Sequence, residues 1–132
     1  MTLADSSAWI EFLRDTGSDA HLRLRDGLRN EEVVTNEAVV MELLAGARDG
    51  TDERVLRRTL ASVPLVPVGG LDAWETAAAI SRACRGAGMT IASRLDCLIA
   101  AVAIREDLGV LHADRDFDRI AACVPLRIAD GD

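Results

Sequence analysis

The sequence predicts an α/β fold: a mostly parallel, five-stranded sheet held between two layers of helices, a three-layer sandwich. Three observations predict it. Short apolar or β-branched runs alternate with longer stretches of helical periodicity, as in parallel strands joined by helical crossovers. Capping residues, glycines and prolines punctuate the joins. The chain has 132 residues, 49% hydrophobic and 28% charged, which suits one core without covalent staples and one domain over residues 1–132.

The elements follow in order. Residues 2–4 predict a first strand ending at Asp5. Residues 6–14 read as a helix with Trp9, Ile10 and Leu13 on one side, and 19–28 as a second. Val33, Val34 and Thr35 are a β-branched run and predict the second strand. Asn36 is a good N-cap for the next helix, whose apolar stripe is Val39, Val40, Leu43, Leu44 and Ala47. Residues 52–62 predict a further helix, stopped by Pro64, and 65–68 a third strand. Residues 71–85 are helical and end near Gly86 and Gly88. Ser93 opens a helix running to about Asp107; Leu95, Leu98, Ile99 and Val102 face inward, and its many alanines predict burial on more than one side. Residues 110–112 predict the fourth strand, 115–123 a short helix and 126–128 the fifth strand.

Composition removes several chemistries. The chain has arginine but no lysine, so a Walker-type phosphate loop and a Schiff-base amine are both excluded. Two histidines, His21 and His112, cannot make a three-histidine metal site. The formal charge of −7 argues against a general nucleic-acid coat protein and fits a basic partner or bound cations. Cys84, Cys97 and Cys123 are odd in number and form no Cys-x-x-Cys pair, so they read as buried thiols suited to a reducing cytoplasm. The sequence shows neither a signal peptide nor a membrane span.

Five acids stand out: Asp5, Glu42, Asp96, Asp114 and Asp116. Each has an ordinary structural explanation. Asp5 and Asp114 each stand between a strand and a helix, where an aspartate caps the helix. Asp96 follows Ser93 at capping-box spacing. Glu42 lies on the flank of an apolar stripe, where a solvated acid is common. Together they point elsewhere. In an open parallel sheet, sites form beyond the carboxyl ends of the strands, at the switch point. If the first and fourth strands are neighbours, Asp5 converges there with Asp114 and Asp116, and Asp96 and Glu42 point at the same edge. A like-charge pair at 4 Å costs about 4 kcal/mol at an effective dielectric near 20. Oxygen-only ligation of Mg²⁺ or Mn²⁺ cancels such repulsion.

Four segments then match a known family in order and spacing. They are Asp5-Ser6-Ser7-Ala8-Trp9-Ile10, Glu42-Leu43-Leu44-Ala45-Gly46, Asp96-Cys97-Leu98-Ile99-Ala100-Ala101 and Leu111-His112-Ala113-Asp114-Arg115-Asp116-Phe117. Over its full length the chain resembles a PIN-domain ribonuclease, and more narrowly the VapC-type toxins of bacterial type II toxin–antitoxin pairs. His112 stands where many members carry Thr or Ser. The resemblance implies a PIN-like, Rossmann-like sheet and a metal-dependent endoribonuclease. It implies an acidic quartet of Asp5, Glu42, Asp96 and Asp114, with Asp116 as a fifth ligand or outer acid. Metal ligation falls to Asp5, Asp96, Asp114 and Asp116, for Mg²⁺ with Mn²⁺ able to substitute. It further implies a cognate VapB-type antitoxin with a basic tail, an RNA substrate, a toxin homodimer and a higher toxin–antitoxin assembly.

Arginines group at Arg23, Arg25 and Arg29, at Arg54, Arg57 and Arg58, and at Arg82, Arg85 and Arg94. Such groups are commonly solvated helix faces. Arg85 and Arg94 are the candidate RNA contacts because they flank the Asp96 segment. Rival readings are weaker. Phosphatases and phosphate receivers use a site lysine, which is absent. An EF-hand starting at Asp114 would need Gly and Glu where Arg119 and Pro125 stand. The remaining alternative is a non-catalytic PIN-like module that binds RNA or a partner.

Overall fold

The computed structural model describes residues 1–129. Strand β1 (Thr2–Ala4) leads into α1 (Ser6–Leu13) and α2 (Asp19–Arg29), then β2 (Val33–Val34), α3 (Glu37–Ala45) and α4 (Gly50–Ala61). After an extended segment come α5 (Leu71–Gly86), α6 (Arg94–Arg105), β3 (Gly109–Leu111) and α7 (Arg115–Cys123). The sheet is parallel with order β2-β1-β3. The chain therefore leaves β1 toward one neighbour and later returns to its other side, which puts the switch point between β1 and β3.

Consecutive strand residues point to opposite faces, so their burial shows what covers the sheet. Leu3 and Ala4 are both buried, as are Val33 with Val34 and Val110 with Leu111. Both faces are covered, as the run of apolar strand residues demands. Helix α6 is buried all round from Asp96 to Ala103, as its alanine content predicts. The stripe on α3 is also as read: Val39 and Leu43 are buried, and Val40, Leu44 and Ala47 pack against the core. Helix α1 departs from its prediction. Trp9 is fully buried, but Ile10 and Leu13 are exposed on its outer side.

The sheet is narrower than the five strands predicted. Among the described residues, the third and fifth predicted strands are single parallel bridges, Thr35 to Leu65 and Val110 to Ile128. Side chains explain the first contraction. Asn36 Nδ2 donates to the Val66 carbonyl at 2.9 Å, and Val68 N donates to Glu37 Oε1 at 2.8 Å. The Arg105 guanidinium takes the Pro67 carbonyl at 2.6 Å. These groups satisfy the backbone that a ladder would use, and Pro67 has no N–H to offer. On the other edge, Val110 N donates to the Arg127 carbonyl and Ala129 N to the Val110 carbonyl, both at 2.9 Å, while Pro125 cannot donate.

Gly27 sets how closely α2 approaches β2. A Cβ built there would stand 2.7 Å from Val33 Cγ2, a buried atom. Gly27→Ala is therefore expected to destabilise the protein by about 1–2 kcal/mol in urea melts, despite the better helix propensity of alanine. Combining it with Val33→Ala should recover much of that loss relative to Val33→Ala alone. A Gly27→Ala protein more stable than wild type would refute the contact.

Candidate active site

Pairing of β1 with β3 brings Asp5 and Asp114 to one edge. Ala4 registers with Leu111, and Asp5 N donates to the Leu111 carbonyl at 2.9 Å. Asp5 then caps α1: its Oδ2 accepts from Ser7 N at 3.0 Å and from Ser7 Oγ at 2.6 Å. Asp114 caps α7, accepting from Asp116 N at 3.0 Å. The capping reading of both residues thus holds, yet a carboxylate has two oxygens. Asp5 Oδ1 is buried without a partner.

Asp96 behaves differently from its capping-box reading. Ser93 is the N-cap of α6 but its side chain makes no capping hydrogen bond. The Asp96 carboxylate is free to turn into the cluster, where its Oδ2 is also buried and unpartnered. Asp96, Asp114 and Asp116 each place a carboxylate oxygen within 4.8 Å of the others. Asp116 is the best anchored: Oδ1 accepts from Arg119 at 2.8 Å and Oδ2 from Ala92 N at 3.0 Å. Glu42 reaches in from α3 and accepts from Ser6 Oγ at 3.3 Å. The tight group is therefore Asp96, Asp114 and Asp116, with Asp5 and Glu42 flanking it and coupled to it by charge.

The electrostatics follow from burial and like charge. Burial, then the charges of Asp5 and Asp114 and a hydrogen bond with Asp114, push Asp96 up to about 8. Asp5 is raised mainly by its burial, against the lowering effect of its Ser7 hydrogen bonds. Glu42 is raised by burial and by Asp5. Orphaned, buried carboxylate oxygens in an all-oxygen donor set fit a hard divalent cation, which restores the lost solvation and cancels the repulsion.

A family model for the PIN domain matches residues 2–122. The chain belongs to the PIN-domain family. Two curated relatives, VapC ribonuclease Mb1587 of Mycobacterium bovis and ribonuclease VapC11 of Mycobacterium tuberculosis, are each 41% identical over 131 residues, covering 98% of both chains. This places the PIN domain among the VapC ribonucleases. Solved structures agree on the fold. VapBC2 of Rickettsia felis bound to promoter DNA superposes with a TM-score of 0.78 at 15% identity, covering 99% of this chain and 98% of that one. FitAcB of Neisseria gonorrhoeae gives 0.74 at 25% identity, covering 98% and 97%.

Sequence reasoning assigned no role to Ser7, although it lies in a matched segment. Its hydroxyl donates to Asp5 and accepts from Ala113 N at 2.9 Å, tying the end of β1 to the loop after β3. His112 is also explained. Its Nδ1 accepts from Asp114 N at 3.1 Å, its Nε2 lies 3.2 Å from Asp118 Oδ1, and its ring lies against Phe117. The imidazole holds the turn that presents Asp114, and the exposed Asp118 orients that imidazole. Arg85 and Arg94 are exposed on the groove between α5 and α6. Among the described residues no helix is long and apolar enough to cross a membrane.

The raised acids make metal-free stability fall with pH. Below about pH 4 Asp96 is protonated in both folded and unfolded chains and contributes no penalty. Between about 4 and 8 the folded state holds a proton that the unfolded state has released, so each rise in pH favours unfolding; the loss is complete above about 8. Asp5 and Glu42 act in the same direction. Thermal melts in EDTA should show a decline in Tm from pH 5 to 8 that Asp96→Asn flattens and excess Mg²⁺ reduces. An unchanged slope in Asp96→Asn would contradict the assignment.

Proposed function

We propose that the protein is a divalent-metal-dependent endoribonuclease toxin that hydrolyses RNA phosphodiester bonds in the cytoplasm and is silenced by a cognate VapB-type antitoxin. The observation that carries the reading is the pair of orphaned carboxylate oxygens, on Asp5 and Asp96, buried at the β1–β3 switch point beside Asp114 and Asp116. Similarity to relatives named ribonucleases supports the activity, and similarity to solved VapBC complexes supports the antitoxin. Three free thiols suit a reducing compartment.

Asp5, Asp96, Asp114 and Asp116 would hold Mg²⁺, with Mn²⁺ able to substitute. The bound ion supplies positive charge for a phosphate in transition and lowers the pKa of water. The protein's residues do the rest. Asp116, fixed by Ala92 N and Arg119, and Asp114, fixed by capping α7 and by His112, keep their carboxylates in place without substrate. Asp5 is held by Ser7, so little reorganisation is needed when phosphate arrives. Glu42 flanks the cluster and orients polar groups around it. Arg85 and Arg94 contact the RNA.

Water attack on phosphorus leaves a 5′-phosphate and a 3′-hydroxyl, with no 2′,3′-cyclic phosphate. A basic antitoxin tail enters the same acidic pocket and substitutes a guanidinium or ammonium for the metal, as the −7 charge favours. The toxin acts as a homodimer within a larger toxin–antitoxin assembly.

Asp5→Ala and Asp96→Ala should each lower RNA cleavage by at least about a hundredfold, and EDTA should abolish it until Mg²⁺ or Mn²⁺ is restored. Sequencing of cleaved ends should find 5′-phosphates. Cyclic phosphate ends, or full activity in EDTA, would refute the mechanism. Growth arrest on expression that persists in Asp96→Asn would favour a non-catalytic binding module.

A further inference from the structure

A groove of about 810 Å³ runs between α5 and the start of α6. Trp74, half exposed, stands on its α5 wall, and Arg82, Arg85 and Arg94 line it. On α5, residues 74, 78, 82 and 85 follow at spacings of four and three, so they share one helix face. The arginines give the groove its charge. In a chain of net charge −7, Arg23, Arg25, Arg48, Arg57, Arg105, Arg119 and Arg127 all pair with carboxylates. Among the described residues, Arg14, Arg29, Arg54, Arg58, Arg82, Arg85, Arg94 and Arg115 pair with none, and three of these, Arg82, Arg85 and Arg94, are exposed together on this one groove. The groove also adjoins the acidic cluster. Ala92 lines it and donates to Asp116 Oδ2, and Arg94 is one turn-fraction ahead of Asp96 on the same helix.

A second groove, of about 490 Å³ beside α1, lacks this character. It contains Glu42 and Asp52 and no aromatic residue, and its Arg48 pairs with Asp52, which leaves Arg14 as its single arginine without a carboxylate. Unpaired guanidinium groups beside an exposed indole, on one continuous path to a carboxylate cluster, select an anionic, aromatic ligand. We infer that the α5–α6 groove holds an unpaired nucleotide of the RNA next to the cleaved bond, its base stacked on Trp74 and its phosphates on Arg82, Arg85 and Arg94. This rests on the ribonuclease reading above and adds where the flanking strand lies and that it must be single-stranded there. A base in a duplex has no free face for an indole, so the groove selects loops and unpaired ends.

The test uses the full chain in EDTA, which separates binding from turnover, and a short single-stranded RNA oligonucleotide as probe. Trp9 is fully buried, so exposed Trp74 is the fluorophore a stacked base quenches. RNA should quench emission, and a duplex of the same sequence should not. Trp74→Ala, followed by RNA anisotropy, should weaken binding roughly five- to hundredfold. Arg82→Ala and Arg85→Ala should each lower the salt slope of log K by roughly 0.7. With Mg²⁺ restored, Trp74→Ala should cut the oligonucleotide more slowly at limiting substrate and recover rate as RNA is raised. Trp74→Ala and Arg82→Ala proteins that fold, bind and cleave like wild type would overturn the groove while leaving the ribonuclease reading intact. A wild-type protein that cleaves no RNA with Mg²⁺ would instead sink the underlying reading. Sedimentation showing wild-type dimers, Trp74→Ala monomers and unchanged RNA affinity would assign the groove to a second copy and overturn the proposal.

Discussion

Mutual repulsion among buried carboxylates is the constraint on which this molecule turns. Unaided, such groups would separate or take up protons, and the upward shift of Asp96 to about 8 shows the second response. What keeps them together is the parallel pairing of β1 with β3, which is secured by backbone bonds and by burial of Leu3, Ala4, Val110 and Leu111. Hydrophobic burial of the sheet thus sustains an arrangement that electrostatics opposes, and a divalent ion held there, as proposed, would turn that tension into affinity.

Structural and chemical roles coincide in the same side chains. Asp5 and Asp114 terminate strands, open helices and supply carboxylates, because one oxygen suffices to cap a helix and the other is left over. Asp96 gives up capping altogether. Its helix begins without a side-chain cap, and that omission is the local cost of aiming a carboxylate into the pocket. Ser7 then links the two strand ends through a single hydroxyl.

Much of this was legible in the residues. The alternation of apolar runs and helical stripes predicts the α/β order, and the all-round apolar character of residues 97–103 predicts the burial of α6. Asp5, Asp114 and Asp116 were found by position relative to strand ends, and Asp96 and Glu42 by their places on helices that point at the same edge. Other features lay beyond local pattern. The third predicted strand shrank to one bridge because Asn36, Glu37 and Arg105, distant in sequence, take its backbone groups. Exposure of Ile10 and Leu13 depends on which side of α1 meets the core, and apolar residues at 9, 10 and 13 do not specify that. Which acids form the tightest group depends on loop geometry after β3. There the His112 contacts hold the turn, and a histidine two residues before an aspartate announces nothing by spacing alone.

The enclosure of α6 from Asp96 to Ala103 has a bearing on control. Local opening free energies approach the global value for segments with no solvent-facing side, so residues 96–103 of this helix open only together with the core around them. Asp96 stands on that stretch, and Asp114 and Asp116 gather against it from the start of α7. Under the proposed reading, silencing falls to a body that covers or fills the pocket from outside, and its release would leave Asp96 already in place.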